Sequence, residues 1–292
     1  MPLTEQEVLQ FREEGVLVAE GILAAADLAP VIAEYERLID ERAAALSASG
    51  QITDCFVDAP FDVRAALLYQ QSPEILSGID IMEARGPAMF SFLSCPSLLD
   101  AVERLIGPEI TCSPIQHIRA KPPSALAGEG AGYFNVPWHQ DAGVTWEEAD
   151  GSDIITCWIP LVDATEENGC MRVMPGVWRG GFLKHQAEGG TTIVPGLLPD
   201  VAPRPVPVRK GGVVFMHRHT PHCSTPNKTV RVRWSIDLRY QPTGQPTGRP
   251  FHPEFIVRSR RDPAAAHVSH SEWAESWRIA LSAPPPAGAH RV

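Results

Sequence analysis

From Val230 to Gln241 the chain reads VRVRWSIDLRYQ, and its character changes at every residue. Val230, Val232, Trp234, Ile236 and Leu238 are apolar, while Arg231, Arg233, Ser235, Asp237 and Arg239 between them are polar. Successive side chains on a strand point to opposite faces, so this period of two describes a long β-strand with one apolar and one polar face. The apolar face has to be covered by a core. The polar face either meets solvent, as in an ordinary half-exposed strand, or lines a cavity. In a cavity a guanidinium such as that of Arg233 can hold a carboxylate by two parallel hydrogen bonds, and Ser235 adds a third group on the same face.

The rest of the chain supplies the layers. Residues 1–108 read mostly helical. Thr4 with Glu7 forms a capping box, and Gly15 is placed to stop that helix. The stretch VLVAEGIL is a candidate strand. Leu28, Ile32, Tyr35, Leu38 and Ile39 recur at helical spacing in a segment that ends at Gly50, with Pro30 in its first turn. CPSLLDAVERLIGPEI is a further amphipathic helix closed by Gly107 and Pro108. From residue 109 short β-branched and aromatic runs alternate with turn residues, and Asn168-Gly169 signals a hairpin between two of them. Many short strands with turns between them indicate a barrel or jelly roll. With no linker in sight, residues 1–280 read as a single domain: a helical part (1–108), a β core (109–245) and an extension (246–280). The last residues, 281–292, with the stretch SAPPPAGAHRV, read as a disordered tail.

Charge and cysteine usage narrow the function. Asp and Glu number 35 against 25 Lys and Arg, a net charge of -10, which argues against nucleic acid or an anionic membrane as partner. The first residues lack the basic and apolar runs of a signal peptide, and no apolar run is long enough to span a bilayer. Six scattered cysteines without a C-x-x-C pair read as reduced thiols. The expected location is the cytoplasm. Nothing in the sequence fixes the oligomeric state.

The stretch VPWHQDAGV places His139 and Asp141 two residues apart. On a strand they would share a face and bring one nitrogen and one oxygen donor to one point. Candidates for a third donor are His217, His219 and His222 in FMHRHTPHCSTPN. Two imidazoles and one carboxylate on one side of a metal leave the opposite positions open, which suits non-haem Fe(II). The plain alternatives are a hydrogen-bonded surface pair and a solvated histidine-rich turn, and spacing alone does not choose.

Taken together, AKPP, WHQD, WIPLVDATEENGCMRVMPG, HRHTPHCSTPN and the Arg-x-Ser of RWS resemble the phytanoyl-CoA dioxygenase family of Fe(II)/2-oxoglutarate oxygenases. The resemblance runs from the first helix to about residue 260 and is densest from 115 to 245. It implies an α+β fold, mainly β: a double-stranded β-helix (jelly roll, cupin-like) with the N-terminal helices packed outside. Residue by residue, it implies His139, Asp141 and His222 as metal ligands, with Asn227 and Arg233 in register and His217 and His219 excluded. Arg233 with Ser235 matches the grip on 2-oxoglutarate, Lys121 resembles a cosubstrate contact, and Gln116 is a further candidate. Phe134, Trp146, Trp158 and Arg239 are expected in the substrate pocket. The chain departs from many relatives at PGVWRGG, where Val177 and Trp178 replace Ser-His.

The resemblance further implies Fe(II), 2-oxoglutarate and O2 as cofactor and cosubstrates, with release of succinate and CO2. Halogenating relatives lack the carboxylate ligand, so Asp141 favours hydroxylation of a small-molecule substrate. A CoA phosphate would want a basic patch, which Arg204, Arg209 and Lys210 could supply, but a solvated loop is the better reading of these three. Two other readings stand beside this one: a non-catalytic jelly-roll metal- or ligand-binding protein, and a cupin-type metal-dependent hydrolase or isomerase. The intact set of three ligands plus anchor disfavours the first, and the second leaves the Arg-x-Ser unexplained.

Overall fold

Local signals set the helices. In helix α1 (Glu5–Glu14) the Thr4 hydroxyl accepts from the Glu7 N–H, and the Glu7 carboxylate accepts from the Thr4 N–H. Gly15 ends the helix at φ 70°, a left-handed conformation that favours glycine, and a Cβ there would collide with the Trp178 ring. The computed structural model describes residues 2–128, 134–188, 190–284 and 290–292. The further helices are α2 (Ala25–Ala48), α3 (Phe61–Gln71), α4 (Ile81–Ala84), α5 (Pro87–Leu93), α6 (Pro96–Ile106), α7 (Ser124–Ala127) and α8 (His270–Leu281). Pro30 lies in the second turn of α2 rather than the first, because the helix already starts at Ala25, where Asp27 caps the Ala24 N–H. Pro30 and Ala26 are both exposed, so water can satisfy the carbonyl that loses its N–H partner. Among the described residues no helix is long and apolar enough to cross a membrane.

The strands are β1 (Val16–Ala19), β2 (Ile110–Cys112), β3 (His117–Lys121), β4 (Ile155–Pro160), β5 (Met171–Val173), β6 (His185–Ala187), β7 (Thr191–Ile193), β8 (Arg204–Val206), β9 (Val213–His217), β10 (His222–Ser224), β11 (Arg233–Pro242) and β12 (Phe255–Arg258). They form a large antiparallel sheet in the order β1-β9-β4-β11-β2-β12, with β3 also on β11. A smaller sheet runs β10-β5-β8, and β6 pairs with β7. This is the expected β architecture with helices outside it. Both edge strands of the large sheet, β1 and β12, come from outside residues 109–245.

The alternation in β11 divides two layers. Trp234, Ile236, Leu238 and Tyr240 enter the main core with residues of α1, α2, α3, α5, α6 and α8. Trp234 stacks on Phe61 at 4.6 Å between centroids and meets Tyr35 edge-on at 6.2 Å. The opposite face of the sheet, through Trp158, Val214 and Met216, packs on Met171, Val173 and Val206 of the small sheet. The polar residues of β11 lie on that second face, and Arg233, Asp237 and Arg239 among them line a cavity instead of meeting solvent.

Two expectations change. Asn168-Gly169 makes no hairpin, because β4 and β5 belong to different sheets. Asn168 Oδ1 accepts from Thr165 N at 2.8 Å and its amide donates to Asp163 O, while Gly169 turns at φ 89° with Thr225 O against it. The turn hands the chain from the large sheet to the small one. At the tail, residues 285–289 lie outside the described residues, but Arg291 is docked. Its N–H donates to Gly143 O at 2.9 Å, its Nε to Thr145 O at 2.7 Å, and its guanidinium pairs with Asp150 over the Phe182 ring. An ion pair and a ring face thus hold Arg291. All six cysteines are free, as expected, and five are buried.

Trp234→Ala removes the ring at the junction of sheet and helices and is expected to cost about 3–5 kcal/mol. Val230→Ala, at a side chain 81% exposed, is expected to change stability by no more than about 0.5 kcal/mol. Urea denaturation of the two variants checks the pair.

Candidate metal centre

His139 and His222 are held opposite each other by backbone. His139 N–H donates to His222 O at 3.0 Å and His222 N–H to His139 O at 2.9 Å, an isolated antiparallel bridge. Their rings lie 4.1 Å apart. Each Nδ1 meets a backbone carbonyl at 2.9 Å, Pro137 O for His139 and Thr220 O for His222. A carbonyl only accepts, so Nδ1 carries the hydrogen and Nε2 keeps its lone pair. The two Nε2 atoms stand 3.9 and 4.0 Å from Asp141 Oδ1. Donors bonded about 2.1 Å from one ion lie no more than about 4.2 Å apart, so both distances fit one metal. The three residues form the group of His, Cys, Asp or Glu able to hold an ion among the described residues. Burial, and then the neighbouring His222, push His139 down to about 3, which keeps it the neutral imidazole that a metal needs.

The H-x-D pair does not sit on one strand. His139 is the bridge residue, and Asp141 opens a 3-10 turn, Asp141–Val144. What aims the carboxylate is its surroundings. Arg239 donates to Oδ1 at 2.6 Å, and the Thr156 hydroxyl donates to Oδ2. Burial alone would raise the Asp141 carboxyl; Arg239 and the two imidazoles outweigh it and hold the group well below the usual carboxylate range. Arg239 is itself fixed by donating to Ile115 O at 3.2 Å.

Beside this triad lies a cavity of about 170 Å³. Arg233, 2% exposed, donates to Ser235 Oγ at 2.5 Å, lies 5.1 Å from the Trp158 ring centroid, and leaves its buried Nε without a partner. Lys121, its direct register partner on β3, donates to Ser224 Oγ at 2.9 Å, Asn135 Oδ1 at 3.1 Å and Thr225 O. No carboxylate hydrogen-bonds either cation among the described residues. Burial, with Asp237 opposing it, brings Arg233 down to about 10; burial and then Arg233 bring Lys121 down to about 6. A buried guanidinium with an orphaned N–H, beside a buried amine that an anion would charge, fits a ligand with carboxylate oxygens.

The other expected site residues divide. Phe134 and Trp158 line the cavity. Arg239 also lines it, but its guanidinium is committed to Asp141. Gln116 is not among the lining residues: it is buried, and its amide donates to Ser113 O at 2.9 Å. Trp146 is elsewhere, against Phe251 at 5.3 Å, because the chain has turned away at the 3-10 helix. His217 lies tilted against Trp178, 4.3 Å between ring centroids, and takes the His219 N–H on its Nδ1. Trp178, where the sequence departs from its relatives, also donates to Glu13 O and so braces the end of α1. Arg204 is ion-paired with Glu14. Sequence reasoning missed Thr156, whose two-residue spacing from Trp158 on β4 was the available signal, and the Arg119–Asp237 pair on the cavity face.

Removing Arg239 is expected to leave Asp141 buried and unpaired. Arg239→Met should lower Fe(II) affinity by about 10–100-fold, with Thr156→Val weaker in the same direction. Competition titration against a coloured Fe(II) chelator measures both.

The profile of the phytanoyl-CoA dioxygenase (PhyH) family matches residues 11–235. Peroxisomal phytanoyl-CoA dioxygenase of Bos taurus is 25% identical over 237 residues, covering 79% of this chain and 66% of that relative. The chain therefore spans about two thirds of that relative's length. In fold it is similar to the non-haem monooxygenase ThoJ (TM-score 0.61, 20% identity, 94% of each chain covered). It is also similar to the epimerase SnoN, solved with Fe3+, 2-oxoglutarate and nogalamycin RO (TM-score 0.58, 20% identity, 89% of this chain and 92% of that one).

Proposed function

The chain belongs to the phytanoyl-CoA dioxygenase family of Fe(II)- and 2-oxoglutarate-dependent oxygenases, and from that premise we propose that it hydroxylates an unactivated C–H bond of a small molecule. We read residues 1–280 as one oxygenase unit, since strands from residue 16 to residue 258 share a sheet. His139, Asp141 and His222 hold the metal. Arg233, Ser235 and Lys121 hold the far carboxylate of 2-oxoglutarate. The observation that carries this reading is the buried Arg233, with its unpartnered Nε, in the same cavity as the two histidines. A structural metal site needs no such anchor.

Each residue has a physical task. Pro137 O and Thr220 O fix the tautomer and angle of the two imidazoles. Arg239 and Thr156 keep Asp141 ionised and oriented. Arg233 and Lys121 set the position of the dianion by charge and fork geometry. Trp158, Phe134, Met171 and Met216 wall the space and keep water out of it. Iron bound here supplies O2-dependent oxidation coupled to decarboxylation of 2-oxoglutarate to succinate and CO2. With Asp141 in its place, no coordination position is left over for halide.

Anaerobic addition of Fe(II) and then 2-oxoglutarate should give the weak visible charge-transfer band of the chelate. His222→Ala should abolish the band and His219→Ala should keep it. A folded, iron-loaded chain without the band contradicts the reading.

Lys121 supplies a pH test. Held down to about 6 by burial and then by Arg233, it is mostly neutral at pH 8; an incoming carboxylate restores its charge. Binding of 2-oxoglutarate at pH 8 should therefore take up close to one proton. Calorimetry in two buffers of different ionisation heat reads the number, and Lys121→Met should reduce it to near zero.

A further inference from the structure

The cavity has a second polar region, which neither the metal nor the cosubstrate uses. Asp237 on β11 and Arg119 on β3 line it together with Asp80 and Glu83 at the start of α4. Arg119 Nε donates to Asp237 Oδ2 at 2.7 Å, and His117 Nδ1 meets Asp80 Oδ2 at 2.8 Å. In both carboxylates the other oxygen, Oδ1, is buried without a hydrogen-bond partner. Asp237 is 7% exposed, and strand alternation puts it on the same cavity face as Arg233 and Arg239. Burial works to raise its carboxyl, but Arg119 and then Arg239 outweigh it, so the group is ionised. A buried carboxylate oxygen left unpaired keeps the full cost of its desolvation. A ligand that donates to it recovers that cost.

The sign of charge narrows the ligand. Lys121 and Arg233 are turned to the cosubstrate, and Arg239 is committed to Asp141. What lines the rest of the cavity is Asp80, Glu83 and Asp237 against Arg119. Arg42 lies behind Gly78, donating to its carbonyl at 3.1 Å. Leu76, Ile79 and Phe134 add apolar wall beside the carboxylates. We propose that the substrate carries a protonated amine that donates to Asp237, with Asp80 as a second acceptor, and an apolar body that lies along Leu76, Ile79 and Phe134. This inference rests on the oxygenase reading of the neighbouring metal site. It disfavours an acyl-CoA, whose phosphates bring charge of the wrong sign to this end of the cavity.

The test uses the full chain loaded anaerobically with Fe(II) and 2-oxoglutarate. The probes are n-butyl- to n-octylammonium ions, set against n-alkanols and n-alkanoates of equal length, with binding measured by calorimetry. The ammonium ions should bind at least tenfold tighter than either neutral or anionic series. Asp237→Asn should remove that preference while keeping alkanol affinity and the chelate band, which together report an intact cavity. Should Asp237→Asn fold poorly, Asp80→Asn provides the second variant and should lower ammonium affinity at least threefold. Equal affinity for the three head groups, tighter alkanoate binding, or full ammonium affinity in both variants overturns the proposal while the chelate band keeps the oxygenase reading standing. Loss of the chelate band in the unaltered chain overturns the oxygenase reading and takes this inference with it.

Discussion

Asp141 is a carboxylate with almost no access to water, and the Arg239 guanidinium is what allows it to be there. Moving an unpaired carboxylate into a protein interior costs several kcal/mol, and a single partner recovers this only when geometry is good and the other lone pairs are used. Arg239 takes one oxygen and the Thr156 hydroxyl the other. The carboxylate is thereby ionised, oriented and unable to swing away from the two imidazoles. The same pair ties the loop that bears Asp141 to β11, so a local contact also fixes the relation between the metal group and the central strand.

That strand organises the cavity. Arg239, Asp237, Ser235 and Arg233 stand in sequence on one face, about 7 Å between alternate residues. They present, in turn, the partner of the Asp141 carboxylate, a buried carboxylate, a hydroxyl and a buried guanidinium. Trp234, Ile236, Leu238 and Tyr240 lock the opposite face into the helices. A slip of one residue would send every polar group into the core, so packing on one side dictates the register of chemistry on the other. The small sheet closes the space from above and brings His222 on β10 to its bridge with His139.

Much of this could be read in the sequence, for identifiable reasons. The alternation in β11 is a backbone property, so it transferred directly to the structure, as did the Thr4–Glu7 cap and the stop at Gly15. His139, Asp141 and His222 meet as the family resemblance implies. Their route to meeting was not legible, since the strand geometry expected for H-x-D is replaced by a bridge residue and a 3-10 turn. Asn168-Gly169 is a true turn signal, but a turn does not say whether the flanking strands pair. Gln116 and Trp146 are not among the residues that line the cavity, because proximity in sequence to a site strand says nothing about which wall a side chain joins. Arg239 was placed in the pocket without its task, because its partner lies 98 residues away. The docking of Arg291 likewise depends on Asp150 and Phe182, distant in sequence and invisible to composition.

The central claim is that two imidazoles and one carboxylate, and no other imidazole, bind the iron. Iron K-edge X-ray absorption of the anaerobic Fe(II)-loaded chain tests it most directly. The account predicts scattering from two imidazoles per iron, unchanged in a His217→Ala/His219→Ala variant, with 2-oxoglutarate adding oxygen ligands. A third imidazole, a sulfur ligand, or loss of the signal in that variant would contradict it.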